Sequence, residues 1–272
     1  MDTQDMNLNS GENSVSLSKE KDTFIPGGRA VRAGTATEWI GNAWEMFKAK
    51  PMKWILLTLI YFAIMLALQQ FIPTISIVAA LFSSVFIAGF IAASEKQRTT
   101  GDFDIELLFY GFKNKLGSLV AVGALAFGIN VLGIIAAVIL GGTSLFQIFW
   151  AGQDLDPMLI MGGLSTLTLA MLVVLFFSIV ALAFSWFAPA LIIINDLKFG
   201  EAISMSLSAV KKNLFGGFLF FLLMGILMFI SAIPLGLGLL VTLPMFMATY
   251  YTTYRSIFYA PKSQETKSHL IN

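Results

Sequence analysis

Three times in this chain a short amphipathic stretch ends in a hydrophobic residue followed by lysines. These motifs are its clearest candidates for chemistry. They read Phe47-Lys48-Ala49-Lys50, Phe112-Lys113-Asn114-Lys115 and Val210-Lys211-Lys212-Asn213. A lysine ammonium is a compact point charge on a flexible stem. Near a membrane surface each contributes about 1 kcal/mol toward anionic headgroups. Headgroup contact is therefore the chemistry expected of Lys48, Lys50, Lys113, Lys115, Lys211 and Lys212. A second candidate is Asn130, a carboxamide in the middle of a long apolar run. It either bonds a neighbouring helix, worth about 1 kcal/mol or less, or lines a solute path.

Other chemistries are poorly supplied. The chain has no cysteine and one histidine, His269, close to the C-terminus. No thiolate or imidazole cluster for a metal and no Ser/His/Asp or Cys/His triad can be assembled. Asp154 and Asp156, in Gly152-Gln153-Asp154-Leu155-Asp156-Pro157, offer too few oxygens for a calcium site. No carboxylate stands in the centre of any apolar run, which argues against a proton- or sodium-coupled pump. Neither an enzymatic activity nor a cofactor is expected. A net charge of +1 gives no basic field for nucleic acid.

The elements that position the lysines are greasy. Of 272 residues, 57% are hydrophobic and 12% charged, and the mean hydropathy is +0.81. A soluble domain averages about 25% charged residues, so lipid is the expected solvent for most of this surface. About 20 apolar residues cross the roughly 30 Å hydrocarbon core. Six such runs are predicted, at 52–70, 74–94, 118–140, 166–189, 214–233 and 235–254, with the start of the fourth left open. Pro234 separates the last two, and Pro244 is expected to kink the sixth. The predicted fold is an all-α membrane protein of about six transmembrane helices in three hairpins.

Each hairpin follows a short interfacial helix, at about 36–50, 103–115 and 199–212. Ile40, Ile105 and Ile203 stand seven residues before the Phe or Val of each motif, and Trp44, Phe109 and Leu207 three before it. That spacing places them on one helix face, with the apolar side expected to lie on the membrane. Thr35 and Glu38 suggest a capping box for the first. Asn195-Asp196 is expected to end one helix and cap the next. Trp54, Trp150, Trp186, Tyr250, Tyr251 and Tyr254 read as interfacial anchors. Small residues, including Gly133, Ala137 and Gly141, form packing stripes that serve the chain's own helices or a homodimer.

All 17 Lys and Arg fall on one side of this arrangement. Basic residues stay where translocation begins, so that side is expected to be cytoplasmic. Both termini would then be cytoplasmic, with disordered tails at 1–34 and 260–272 flanking a membrane domain at 35–259. The spacing Trp39-x4-Trp44-x2-Phe47-x3-Pro51-x2-Trp54 resembles bacterial polytopic inner-membrane proteins. So does Trp186-Phe187-x-Pro189-Ala190 followed by Glu201-Ala202 and Lys211-Lys212-Asn213. Over about Arg29 to Tyr259 the chain is similar to the YciC-like proteins. More distantly it is similar to the membrane domain attached to some glycerophosphodiester phosphodiesterases. The resemblance implies an architecture in the inner membrane, not a reaction. The expected role is non-enzymatic, in membrane organisation or as a lipid- or partner-binding subunit. A passive channel or small-molecule transporter is the alternative. The expected partner is the lipid bilayer with its anionic headgroups, a homo-oligomer or further membrane protein being left open.

Overall fold

The computed structural model describes residues 23–71, 76–150 and 157–259. The protein is an all-α membrane protein. Five of its helices are long and apolar enough to cross a bilayer. Helix α1 (Thr35–Ala49) leads into α2 (Pro51–Phe71) and α3 (Ser76–Thr100). A 3-10 turn at Ile105–Phe109 and the short α4 (Tyr110–Lys113) precede α5 (Leu116–Trp150) and α6 (Pro157–Ser185). Then come α7 (Ala188–Ile194), α8 (Phe199–Lys212), α9 (Leu214–Ala232) and α10 (Leu239–Phe258). The outward faces of α5, α6 and α9 carry exposed Ile139, Met171, Phe176, Phe215 and Phe229. Water does not tolerate so continuous an apolar surface.

Helix α3 is the axis of the bundle. It buries 56% of its apolar span, against 11–22% for the other four. Two glycines bring neighbouring backbones against the α3 hairpin. A Cβ added at Gly89 of α3 would stand 2.3 Å from the Leu108 carbonyl oxygen. One added at Gly123 of α5 would stand 2.1 Å from that of Leu81. Only glycine permits so close an approach. The α5–α6 contact uses the predicted stripe: Gly133 lies against Phe177 and Gly141 against Ala170. That stripe therefore serves packing within the chain.

The sixth long helix differs in kind. Helix α10 has 20 residues, about 30 Å at 1.5 Å per residue. Its second half is rich in Thr and Tyr and is buried among α1, α3 and α9. A helix shielded by its neighbours does not need an apolar face toward lipid. It starts at Leu239 rather than 235, because residues 233–238 form a turn with Leu235 and Gly236 at positive φ. Pro244 lies inside it.

Several expectations are corrected. The fourth apolar span, Met161–Ile194, passes Pro189 but is not one helix: α6 stops at Ser185 and α7 resumes at Ala188. Proline clashes with the carbonyl four residues earlier, here that of Ser185. Ser206 of α8 repairs the break, accepting from the Phe187 backbone N–H at 3.2 Å and donating to the Ala183 carbonyl at 2.9 Å. The third apolar span runs from Leu116 to Gly142, close to the predicted 118–140, while its helix continues to Trp150, and the helix of the fourth begins at Pro157. The segment 103–115 is not one helix but the 3-10 turn plus α4, its backbone pressed onto Gly89. Helix α1 has Gly34 as N-cap without a side-chain cap, so Thr35 and Glu38 form no capping box. Helix α7 has Asn195 as its C-cap, as expected, but α8 has Lys198 and not Asn195-Asp196 as its N-cap, the Lys198 backbone N–H donating to the Glu201 carboxylate at 3.4 Å.

Candidate functional site at the basic end

The segment at 24–32 is not a free tail. Ile25 N–H donates to the Phe258 carbonyl at 2.8 Å, Arg29 N–H to that of Ile257 at 2.9 Å, and Phe24 pairs with Tyr259 as a β-bridge. The buried Asn213 finishes the splice. Its amide accepts from Val31 N–H at 2.8 Å and donates to the Arg29 and Ala209 carbonyls at 2.9 and 2.8 Å. Lys212 Nζ donates to the Gly27 and Gly28 carbonyls at 3.0 and 2.8 Å. The beginning and end of the described chain therefore lie together at one end of the bundle. Residues 1–22 and 260–272 lie outside the described residues.

The six motif lysines divide by what holds them. Lys212 is part of the splice. Lys115 is paired with Asp196 at 2.5 Å, and Lys50 stands 3.5 Å from Asp102. Asp102 also receives Lys53 Nζ at 2.7 Å and the Phe103 backbone N–H at 2.9 Å. The Lys53 hydrogen bond, with that N–H and the charge of Lys50, pulls the Asp102 carboxyl down to about 2. Lys48 makes an exposed i,i+3 pair with Glu45 at 2.8 Å, a contact worth little in water. Lys113 and Lys211 are exposed, with no ion pair among the described residues. Lys113 and Lys211 are thus the freely presented ammonium groups, and Lys48 of the first motif is held only by its exposed pair with Glu45.

The aromatic residues read as anchors are mostly core. Trp54 is fully buried, and its indole donates to Gln97 Oε1 at 2.8 Å. Gln97 Nε2 in turn donates to the Met46 carbonyl at 2.8 Å, tying α3 to the end of α1. Trp186 is buried, donates to Thr253 at 3.0 Å and stacks on Tyr250 at 4.1 Å. Tyr251 donates to Glu95, which also accepts from Arg98 at 2.8 and 3.1 Å. Tyr254 donates to Asn195 and lies 3.2 Å from the Tyr259 hydroxyl. Trp150 has a side chain outside the described residues, as do Asp154 and Asp156. Trp44 alone of the motif tryptophans stays exposed, stacked on Phe47 at 5.8 Å.

Helices α1 and α8 bury a different stripe from the expected one. Ala36, Trp39, Ala43 and Phe47 of α1 are covered, chiefly by α10 and α9. Of the residues expected to lie on lipid, Phe47 and Ile203 are buried in protein, Ile40, Leu207 and Val210 are half-buried, and Trp44 is exposed. Sequence reasoning missed Gln97, Glu95 and Asn213 as ties. Gln97 and Glu95 follow the apolar run of α3, and their polar type next to a span was the available signal. Deeper in the bundle, Asn130 Nδ2 donates to the Ala126 carbonyl at 2.8 Å, and its Oδ1 accepts from Ser178 of α6 at 2.9 Å. Ser185, Ser231 and Thr242 each donate to the carbonyl four residues back in their own helix. Among the described residues no group of three or more His, Asp or Glu is placed to hold a metal ion. No family model, no curated protein and no solved structure matches the chain.

Proposed function

We propose that this multi-pass protein resides in the bacterial inner membrane and holds anionic lipid headgroups at its cytoplasmic basic end. Its role there is non-enzymatic, in membrane organisation or as a partner-binding subunit. The observation that carries the reading is the three-way presentation of Lys48, Lys113 and Lys211. Each is the first lysine of its motif and is exposed, Lys48 held only by its weak pair with Glu45, while Lys115 and Lys212 are engaged within the protein. At about 1 kcal/mol per lysine near an anionic surface, three together favour phosphatidylglycerol over a zwitterionic lipid. The test is the combined substitution Lys48→Gln, Lys113→Gln and Lys211→Gln. The purified variant should lose its enrichment in anionic lipid relative to bulk membrane. Unchanged lipid composition would sink the reading.

Orientation follows from the one-sided distribution of Lys and Arg. The splice of 24–29 onto 256–259 supports this reading, since both ends on one side go with an even number of crossings and α10 as the sixth. The chain's lack of cysteine makes this simple to test. A thiol at Thr100 should label only from the cytoplasm and one at Leu237 only from outside. The resemblance to YciC-like proteins belongs with this reading. The alternative, a passive channel or transporter, takes Asn130 as a lining group, yet that amide donates through its nitrogen to Ala126 of α5 and accepts at its oxygen from Ser178 of α6.

A further inference from the structure

A cavity of about 550 Å³ lies at the basic end, between the last turns of α3, the 3-10 turn with α4, and α7. Its size falls within the roughly 300–1,000 Å³ of ligand sites. Ala92, Lys96 and Thr99 of α3 form one wall, at the i, i+4, i+7 spacing of a single helix face. Asp104, Leu107 and Tyr110 form a second, kept close to α3 by the approach of the Leu108 backbone to Gly89. Ile193 and Ile194 of α7 add hydrocarbon. Lys96, Thr99 and Asp104 are exposed, and none of the bundle's large exposed apolar side chains lines the cavity. It therefore opens to water rather than to lipid.

Two polar groups of the lining are already engaged. Glu95 accepts from Arg98 and Tyr251, and the Thr99 hydroxyl donates to carbonyls of its own helix. Three others are not. Lys96, the Asp104 carboxylate and the Tyr110 hydroxyl make no side-chain hydrogen bond or ion pair among the described residues. Asp104 is the N-cap of the 3-10 turn, yet its side chain makes no cap, although an aspartate at such a position ordinarily accepts from a backbone N–H of the first turn. Lys96 and Asp104 thus line one cavity without pairing with each other. A polyanion such as a nucleotide would meet one ammonium and two carboxylates there. A divalent cation would meet a single unengaged carboxylate, too few oxygens to hold it. A guest with one charge of each sign and an apolar body finds a partner for every part.

We propose that this cavity binds a small zwitterion with an apolar body, of the size of an apolar amino acid or dipeptide. The guest's carboxylate pairs with Lys96 and its ammonium with Asp104. The Tyr110 hydroxyl, on the same wall as Asp104, supplies one further hydrogen bond. Ala92, Leu107, Ile193 and Ile194 pack against the guest's side chain. The proposal does not rest on the lipid contacts of the motif lysines.

The test uses the full-length protein in detergent, with L-leucine and leucyl-leucine as probes and titration calorimetry as the measure. At least one probe should bind, and binding of neither would overturn the proposal. N-acetylation removes the probe's ammonium and amidation its carboxylate. Each should weaken binding about tenfold or more, the factor for one hydrogen bond to a charged group. On the protein, the changes are Lys96→Gln and Asp104→Asn. Both side chains are exposed and unpaired, so both variants should fold, with an unchanged melting temperature as the check. Lys96→Gln should bind the probe and its amide equally, and Asp104→Asn the probe and its N-acetyl form equally. Discrimination kept at the wild-type level in either variant would overturn the contact assigned to that residue. Phosphatidylethanolamine also carries both charges. Its recovery with the wild type, lost in both variants, would overturn a guest taken from water. The combined substitution of Lys48, Lys113 and Lys211 should leave probe binding unchanged, and a loss there would overturn the assignment of the site to Lys96 and Asp104.

Discussion

The basic end of the bundle and the α5–α6 hairpin are held by different forces. At the basic end, side chains distant in sequence tie helix ends together: Gln97 joins α1, α2 and α3, and Asn213 joins α8 to the segment before α1. Along α5 and α6 the contact is mainly glycine and alanine against apolar side chains, with Asn130 and Ser178 giving a hydrogen bond across it. The contrast follows from where the backbone leaves its helices. Inside lipid, helical hydrogen bonds already satisfy the main chain, and packing is what remains. At the end of the bundle, caps and turns leave N–H and C=O groups that side chains must satisfy.

That difference can be broken at both places. The largest effect is expected from Gly89→Ala, whose Cβ would stand 2.3 Å from the Leu108 carbonyl oxygen. The cost should be about 3 kcal/mol, the upper end of ordinary overpacking. Gly128→Ala in α5, where nothing lies within 4 Å, should instead stabilise by roughly 0.5–1 kcal/mol. Thermal melts in one detergent compare the two, and equal shifts would contradict the assigned packing. Next is Gln97→Leu, which orphans the Trp54 indole and the Met46 carbonyl. A loss of about 2 kcal/mol is expected, read as a lower melting temperature and as a change in Trp fluorescence.

Asn130→Leu should matter less. A polar bond between membrane helices averages about 0.6 kcal/mol, so a shift as large as that of Gln97→Leu would mean that Asn130 does more than tie α5 to α6. The smallest effect belongs to the exposed Asp102. Its carboxyl titrates at about 2 in the folded protein, against an ordinary 3.8. The folded state therefore gains from the pairing above pH 3.8 and loses that gain as the pH falls from 3.8 toward 2. Asp102→Asn should remove this component from a melting-temperature profile over that window, with no change near neutrality in its slope.

The helices around Ile55, Gly133 and Leu222 were legible because long apolar runs admit one solution in lipid. The starts of α1 and α8 were legible from their periodicity. The interior of the basic end was not. Trp54, Trp186 and Tyr251 have the amphipathic chemistry of membrane-surface residues, and only the fold puts Gln97, Thr253 and Glu95 within reach of them. The break at Trp186–Phe187 was half legible. Pro189 announces it, but the hydroxyl that makes it affordable, Ser206, comes from another helix. The motif lysines were legible as a set. Which of them remain free was not, since Asp196 and Asp102 are distant partners in sequence.

The splice between residues 24–29 and 256–259 also bears on the order of assembly. Its bonds span the length of the chain, Arg29 reaching the Ser256 carbonyl at a separation of 227 residues. The first described segment to leave the ribosome must therefore wait, undocked, until the last helix has been inserted. Contacts of such high order form late and slow the final step. A nascent chain halted before α10 has Lys212 and Asn213 for its leading segment but lacks the carbonyls of Ser256, Ile257 and Phe258. A circularly permuted chain, joined across this splice and reopened in the turn at 233–238, would make the same contacts local and should close sooner.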